Sequence, residues 1–290
     1  MATYTYKIRE EFDGLTVLEF LTKYKLGNEK IKEFKLNGSV FINGVEAKSF
    51  SRLSKDDTLS LVNKDSLDIK GFKAHLDIIY EDDYLLIINK PVGCVVHSDG
   101  ALNQENTLAN MVAYYYEKKK YDIPVRYLHR LDYDTSGIIV FCKDILSMSY
   151  LSDKLASHDF RRDYLALVSG DVKADMTIDF PIGRDRHVNG KYRVSKTGKP
   201  AITHVKVLDH FKKYTLVRLS LETGRTHQIR VHMAYKGNPL LGDSLYGGGI
   251  KLINRQALHS YFVSFLHPIT GKNIELSAKI PYDMKKLINK

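Results

Sequence analysis

The chain has 290 residues, 43% of them hydrophobic, enough for one large core or two unequal domains. Its formal net charge is +10, from 44 Lys and Arg against 34 Asp and Glu; that excess fits a polyanionic partner, nucleic acid first, while simple solubility is the plainer reading. Cys94 and Cys142 are too few and too far apart for a disulfide framework or a Cys-x-x-Cys site, Met1–Phe12 lacks the apolar centre of a signal peptide, and no apolar run nears the roughly 20 residues of a membrane span, so a soluble cytoplasmic chain is expected.

Leu15, Leu18, Phe20, Leu21 and Tyr24 fall at helical spacing, with Gly27 as the end of that helix. Ile31, Phe34 and Lys35 suggest a second short helix stopped by Asn37-Gly38. Val40–Ile42 then meets Asn43-Gly44, a strong hairpin turn because both central residues tolerate positive φ. Leu59, Leu61 and Val62 supply a last strand. Residues 1–68 therefore read as a small α+β domain carrying 11 cations and 11 anions, which leaves 33 cations against 23 anions in the other 222 residues. Polar, aperiodic sequence across Asn63–Gly71 predicts a linker, placed at 69–75, before a large domain at 76–290.

In the large domain Leu76–Tyr80 and Tyr84–Asn89 flank the acidic turn Glu81-Asp82-Asp83 and predict a hairpin. Leu108, Met111, Val112 and Tyr115 mark a helix ending in three lysines, at the favoured end of its dipole. A strand at Gly137–Phe141 precedes a helix through Ile145, Met148, Leu151 and Leu155, with Asp144 as N-cap. Strands follow at Tyr164–Val168 and, with period two, at Leu216–Glu222. Thr226–Tyr235 reads as a helix, and Tyr261–Leu266 and Ile274–Ala278 as strands. Many strands without strict βαβ alternation argue an α+β fold with a mixed, mostly antiparallel sheet.

Four stretches could carry chemistry. In His129-Arg130-Leu131-Asp132-Tyr133-Asp134-Thr135-Ser136-Gly137 a carboxylate, Asp132, sits at a core boundary and needs a cation or donors to stay ionised. Arg130 would share its face on a strand, so a structural Arg–Asp pair and a catalytic carboxylate both stand. In Gly224-Arg225-Thr226-His227-Gln228-Ile229-Arg230-Val231-His232, His227 and Arg230 share a helix face. The two histidines are five apart, not the three or four of a helical zinc pair, and no base Glu lies between them, which disfavours a metal hydrolase. Tyr164 is either an ordinary strand tyrosine or a platform for a nucleobase. The stretch from Arg184 to Lys199 has six cations, one acid and no apolar period, and predicts a basic loop suited to phosphates. Neither a phosphate-binding glycine loop nor a Gly-x-Ser-x-Gly elbow is present.

These stretches, with Asn89-Lys90-Pro91-x-Gly93, Tyr164-x-Ala166-x-Val168-x-Gly170, Pro181-Ile182-Gly183-Arg184, Gly198-Lys199-Pro200-Ala201-x-Thr203, Gly242-Asp243-x-x-Tyr246-Gly247 and His267-Pro268, resemble in order the RluA/RluC/RluD-type RNA pseudouridine synthases over about residues 75–283. The resemblance implies the pseudouridine synthase fold and isomerisation of uridine to pseudouridine in structured RNA, without metal or cofactor. The family's commonest target is 23S ribosomal RNA, with transfer RNA the alternative. A catalytically silent RNA-binding protein of the same fold is the rival from another class.

By the same resemblance Asp132 matches the catalytic aspartate, Arg230 its arginine partner, Tyr164 the aromatic that stacks on uracil, Ile229 an apolar pocket residue, and Arg130 the residue that fills the gap left by the flipped base. RNA contacts are expected from Lys90, Arg184, Arg186, Lys191, Arg193, Lys199, Arg225 and His227. Tyr133 and Arg162 depart from the residues common at those positions, Arg or Lys and Lys respectively. The first 68 residues resemble the small α-L RNA-binding module, but Asn28-Glu29-Lys30 replaces its usual Ser-Arg; Lys30, Lys32 and Lys35 offer a local phosphate patch. With no strong exposed apolar stripe, a monomer is expected.

Overall fold

The computed structural model describes residues 2–36, 39–63, 69–98 and 105–289. The N-terminus, for which no element was expected, forms strand β1 (Ala2–Lys7), in which Ala2, Tyr4 and Tyr6 are buried and their neighbours exposed. Helix α1 (Val17–Lys23) starts at a capping box, Thr16 and Glu19 satisfying each other's backbone amides. Then come α2 (Asn28–Leu36), β2 (Val40–Ile42), β3 (Val45–Glu46) and β4 (Thr58–Asn63), giving a sheet of order β1-β4-β2-β3. The Asn43-Gly44 turn has φ of 52° and 81°, as the hairpin requires. The helix stop at Asn37-Gly38, residues 64–68 of the linker and the domain boundary lie outside the described residues.

This small unit is docked onto the large one. Its core, including Phe20, Leu21, Leu59 and Leu61, continues into Ile145 and Leu146 of α4 (Ile145–Ala156). The Tyr6 hydroxyl donates to Asp144 at 2.7 Å, and the Ser149 hydroxyl to the Lys25 carbonyl at 2.6 Å. Asp144 also caps α4, accepting from the Leu146 and Ser147 amides.

The large unit adds β5 (Ile78–Glu81), β6 (Leu85–Lys90), α3 (Leu108–Lys119), β7 (Ser136–Cys142), β8 (Arg161–Ser169), β9 (Met176–Asp179), β10 (Ile182–Arg184), β11 (Tyr192–Val194), β12 (Ile202–Phe211), β13 (Tyr214–Leu221), α5 (Gln228–Tyr235), β14 (Leu258–Leu266), β15 (Asn273–Ser277) and α6 (Tyr282–Ile288). Among the described residues one large sheet runs β5-β6-β7-β14-β8-β13-β12-β9, with β15 on β14. Every pairing is antiparallel except β7 with β14. At that junction Gly137 has φ 112°, and a Cβ there would lie 2.1 Å from the Ser260 carbonyl oxygen, so only glycine lets the strands meet. The β5–β6 turn is held by Asp82, which accepts from the Tyr84 and Leu85 amides and from His267.

Strand β8 organises the molecule because its two faces serve different layers. Tyr164, Ala166 and Val168 join the core under α3 and α5, whereas Leu165 and Leu167 pack on the α6 side with Met284 and Leu287. The expected α+β class and mostly antiparallel mixed sheet match this architecture. The basic stretch is more ordered than expected: a short hairpin, with Ile182 opposite Val194 and Arg184 opposite Tyr192, brackets the loop of residues 185–191. Its strands are too short for a period to show in sequence. Strand β12 was also illegible, since Thr203, His204, Lys206, Asp209 and His210 blur its alternation.

Candidate active site

Asp132 lies in the segment leading into β7, within a turn in which the Thr135 amide donates to its carbonyl at 3.1 Å. The segment is not a strand, so Arg130 and Asp132 do not share a strand face; Arg130 is exposed and pairs with no acid among the described residues. The cation on Asp132 comes instead from α5, where Arg230 Nη1 donates to Asp132 Oδ2 at 2.9 Å across 98 residues of sequence. The Asp132 side chain remains 27% exposed and open to the cavity, while Arg230 is 8% exposed.

Arg230 is itself clamped. Its Nε and Nη2 donate to the two oxygens of buried Asp243 at 2.7 and 2.9 Å, and its guanidinium lies 5.0 Å from the Tyr246 ring centroid. Burial works against the guanidinium charge, but Asp243 and Asp132 outweigh it and hold the arginine protonated. The fork geometry fixes the plane of Arg230 and so the direction of its third donor.

Helix α5 begins two residues later than expected, because His227 takes the left-handed conformation (φ 57°). Gln228 holds that turn: its Oε1 accepts from the Arg225 amide and the Thr223 hydroxyl, and its Nε2 donates to the Ile202 carbonyl and Thr203 hydroxyl. His227 Nε2 lies 3.8 Å from Asp132 Oδ2, and Nδ1 is 2.9 Å from the Tyr246 hydroxyl. That hydroxyl accepts from the Tyr192 amide at 2.9 Å, so its own proton is free for Nδ1, which leaves the imidazole proton on Nε2 facing Asp132. Burial, with the Arg230 charge, keeps His227 below its ordinary value despite Asp132 and Asp243, and hence neutral at pH 7.

A cavity of ≈ 940 Å³ opens in front of Asp132 and takes in Tyr164, Ile229, Arg230, Leu131, His129 and Arg162. Tyr164 is buried in its wall, and burial raises its phenol despite the nearby Arg162 charge. Ile229 packs beside it in the same core. Arg130 stands exposed at the rim. Arg184, Arg186, Arg193, Lys199 and Arg225 are also exposed, with Arg225 Nε on the Pro200 carbonyl; Lys191 is half-buried with its ammonium 5.5 Å from the Tyr246 ring centroid. The hairpin reaches the site through Tyr192: burial raises its phenol, but hydrogen bonds with Arg184 and Thr226 and the charges of Arg184 and Arg130 bring it below its usual value.

Lys90 corrects an expectation. It is fully buried, and its ammonium donates to the carbonyls of Pro91, Cys94 and Tyr133 at 2.9, 2.6 and 3.0 Å. It therefore ties the 91–94 turn to the segment after Asp132 and has no donor left for RNA. Burial pulls its ammonium down to about 8, still charged at neutral pH. Asp243 and Tyr246, which orient Arg230 and His227, carried no role in the sequence; only their three-dimensional partners reveal one. Among the described residues no group of three His, Cys, Asp or Glu could hold a metal ion.

Comparison with known proteins bears on the family and the fold. Residues 84–235 match the family model described as RNA pseudouridylate synthase. The chain is 42% identical over 288 residues to the Bacillus subtilis (strain 168) protein named "Uncharacterized RNA pseudouridine synthase YhcT", covering 97% of this chain and 94% of that protein. It is 37% identical to the ribosomal large subunit pseudouridine synthase D of Vibrio cholerae, over 93% of this chain and 88% of that one. The fold is similar to that of human RNA pseudouridylate synthase domain containing 1, with a TM-score of 0.60 and 24% identity over 76% of this chain and 87% of that one. With a matched family model spanning more than half its length and relatives aligned nearly end to end, the chain belongs to the RNA pseudouridine synthase family.

Proposed function

We propose that Asp132 is the catalytic carboxylate of this RNA pseudouridine synthase, and that its substrate is large-subunit ribosomal RNA. The reaction breaks the C1′–N1 bond of a uridine and joins C1′ to C5; the C5 proton leaves and N1 takes one up. The observation that carries the assignment is the Asp132–Arg230–Asp243 chain, which fixes one carboxylate at the mouth of a cavity whose wall offers Tyr164 to a flat base. In this reading Arg230 aims Asp132, Tyr164 stacks on the uracil, Ile229 excludes water, and Arg130 fills the space the flipped base vacates. Arg184, Arg186, Lys191, Arg193, Lys199, Arg225 and His227 contact the RNA around it. The target follows the ribosomal large subunit named for the Vibrio relative, with which this chain aligns over 93% of its length.

Asp132→Asn tests the chemistry. Its side chain is 27% exposed and loses one charge-assisted bond, so the fold should survive while release of tritium from C5-labelled uridine falls by about 10³-fold or more. Retained turnover would overturn the assignment. Mapping pseudouridines in RNA from cells lacking the protein tests the target: loss confined to transfer RNA would replace the ribosomal reading.

Residues 1–68 we read as an accessory RNA-binding domain, joined by 69–75 to a catalytic domain at 76–290. Exposed Lys32 supports it, while Lys30 is engaged with Glu33 at 2.8 Å and the Lys35 side chain lies outside the described residues. Both cysteines are free and buried, and no helix among the described residues is long and apolar enough to cross a membrane.

A further inference from the structure

Among the described residues the buried lysines and arginines are Lys90, Lys143, Arg162, Arg230 and Arg255. Four of them have partners. Lys90 serves three carbonyls, Lys143 pairs with Glu81, Arg230 with Asp132 and Asp243, and Arg255 with Asp283. Arg162 is the exception. It is 6% exposed, its Nε is buried without a hydrogen-bond partner, and among the described residues no ion pair reaches its guanidinium. The adjacent carboxylate, Asp163, faces the other side of β8 and is taken by Arg161 and Ser220.

A charge withdrawn from water without a counter-charge is a standing cost to the fold. Where it lines a cavity, that cost is relieved when an anion enters. Arg162 does line the cavity, on the same face of β8 as Tyr164 and one pleat away, about 7 Å along the strand. Its Nη1 and Nη2 lie 3.4 and 3.6 Å from where a Cβ on Gly224 would stand, so the strand-end turn roofs the guanidinium without touching it with a side chain. His129, on the same cavity, offers it no charge: burial and Arg162 itself push that imidazole down to about 3.

We propose that Arg162 receives an anionic oxygen of the target nucleotide within the cavity. Two oxygens on that nucleotide have the chemistry: a phosphate flanking the flipped uridine, and a uracil carbonyl oxygen, which gains negative charge when the C1′–N1 bond breaks. A guanidinium is suited to either, being planar, permanently charged and weakly hydrated. The inference rests on the reading of this cavity as the isomerising site.

The test uses the full chain and C5-tritiated total RNA from cells lacking the protein, under single turnover with enzyme in excess. Arg162→Met keeps the stem and removes the charge; Arg162→Lys keeps a charge. If the partner is the uracil oxygen, Arg162→Met loses at least 30-fold in rate at saturating enzyme with an unchanged half-saturating concentration. If it is the phosphate, the half-saturating concentration rises at least 10-fold and its logarithmic dependence on KCl becomes shallower by about one unit, with the saturated rate kept. In both cases Arg162→Lys recovers most of the loss, and the Tm of Arg162→Met equals or exceeds that of the wild type. Rate and half-saturation both within twofold of wild type overturn the proposal. So does a Tm lowered by more than 5 °C, which makes Arg162 structural. Asp132→Asn, run alongside, separates the two readings, since its full activity sinks the site assignment whatever the Arg162 variants do.

Discussion

Asp243 is buried behind Arg230 and does not line the cavity, yet it sets the direction of the Asp132 partner, and Asp243→Asn isolates that effect. The asparagine keeps the shape and one acceptor but turns an amide NH2 toward a guanidinium. One of two charge-assisted bonds, now 2.7 and 2.9 Å, is lost, and a buried donor meets a donor. Each such bond contributes about 1.5–3 kcal/mol, and breaking a buried pair costs about 3–5 kcal/mol, so roughly 3 kcal/mol is expected because Arg230 keeps Asp132. In a chain of this size that lowers Tm by roughly 6–12 °C. With its fork lost, Arg230 turns about the remaining bond, and a shift of about 1 Å at the site reduces the rate by about 100-fold. Single-turnover tritium release at 25 °C, where the variant is still folded, measures the second effect, and scanning calorimetry the first. A variant with the lowered Tm but a rate within threefold of wild type would show that Asp243 stabilises Arg230 without orienting it. An unchanged Tm would refute the bond accounting as well.

Lys90→Met leaves three buried carbonyls without their donor and should lower stability by about 3 kcal/mol while the salt dependence of RNA binding stays that of the wild type; a shallower dependence would restore Lys90 as a phosphate contact. Because burial holds Lys90 at about 8 against 10.5 unfolded, the unfolded chain binds the extra proton between those values, so wild-type stability should rise relative to Lys90→Met from pH 8 to 10.5 in urea titrations. The histidines act in acid. Burial lowers His129 to about 3 and His259 to about 4, so below 6.5 the unfolded state takes up protons that the folded state refuses, and stability should fall with pH down to about 4. His259→Gln should flatten that fall in Tm measured against pH; an unaltered profile would exclude His259 as a source.

The sequence by itself determined what local chemistry can specify. Helix α4 could be read from its spacing and the Asp144 cap, the β5–β6 hairpin from the acidic turn that Asp82 holds, and the β2–β3 turn from Asn43-Gly44, because each is decided by residues a few positions apart. Family resemblance supplied Asp132 and Arg230 as a pair. What only the tertiary structure decided depends on contacts between distant residues. Strand β1, short but cleanly alternating, is fixed by its pairing with β4, and β12, whose alternation is blurred, by its pairing with β13. The Arg130–Asp132 pairing suggested by proximity gave way to Arg230, 98 residues on, since the segment is not a strand. Lys90, expected at the RNA, is consumed by three backbone carbonyls, and Asp243, given no role by the sequence, holds Arg230. Hydrogen-bond partners and burial are properties of the assembled sheet; no window of sequence contains them.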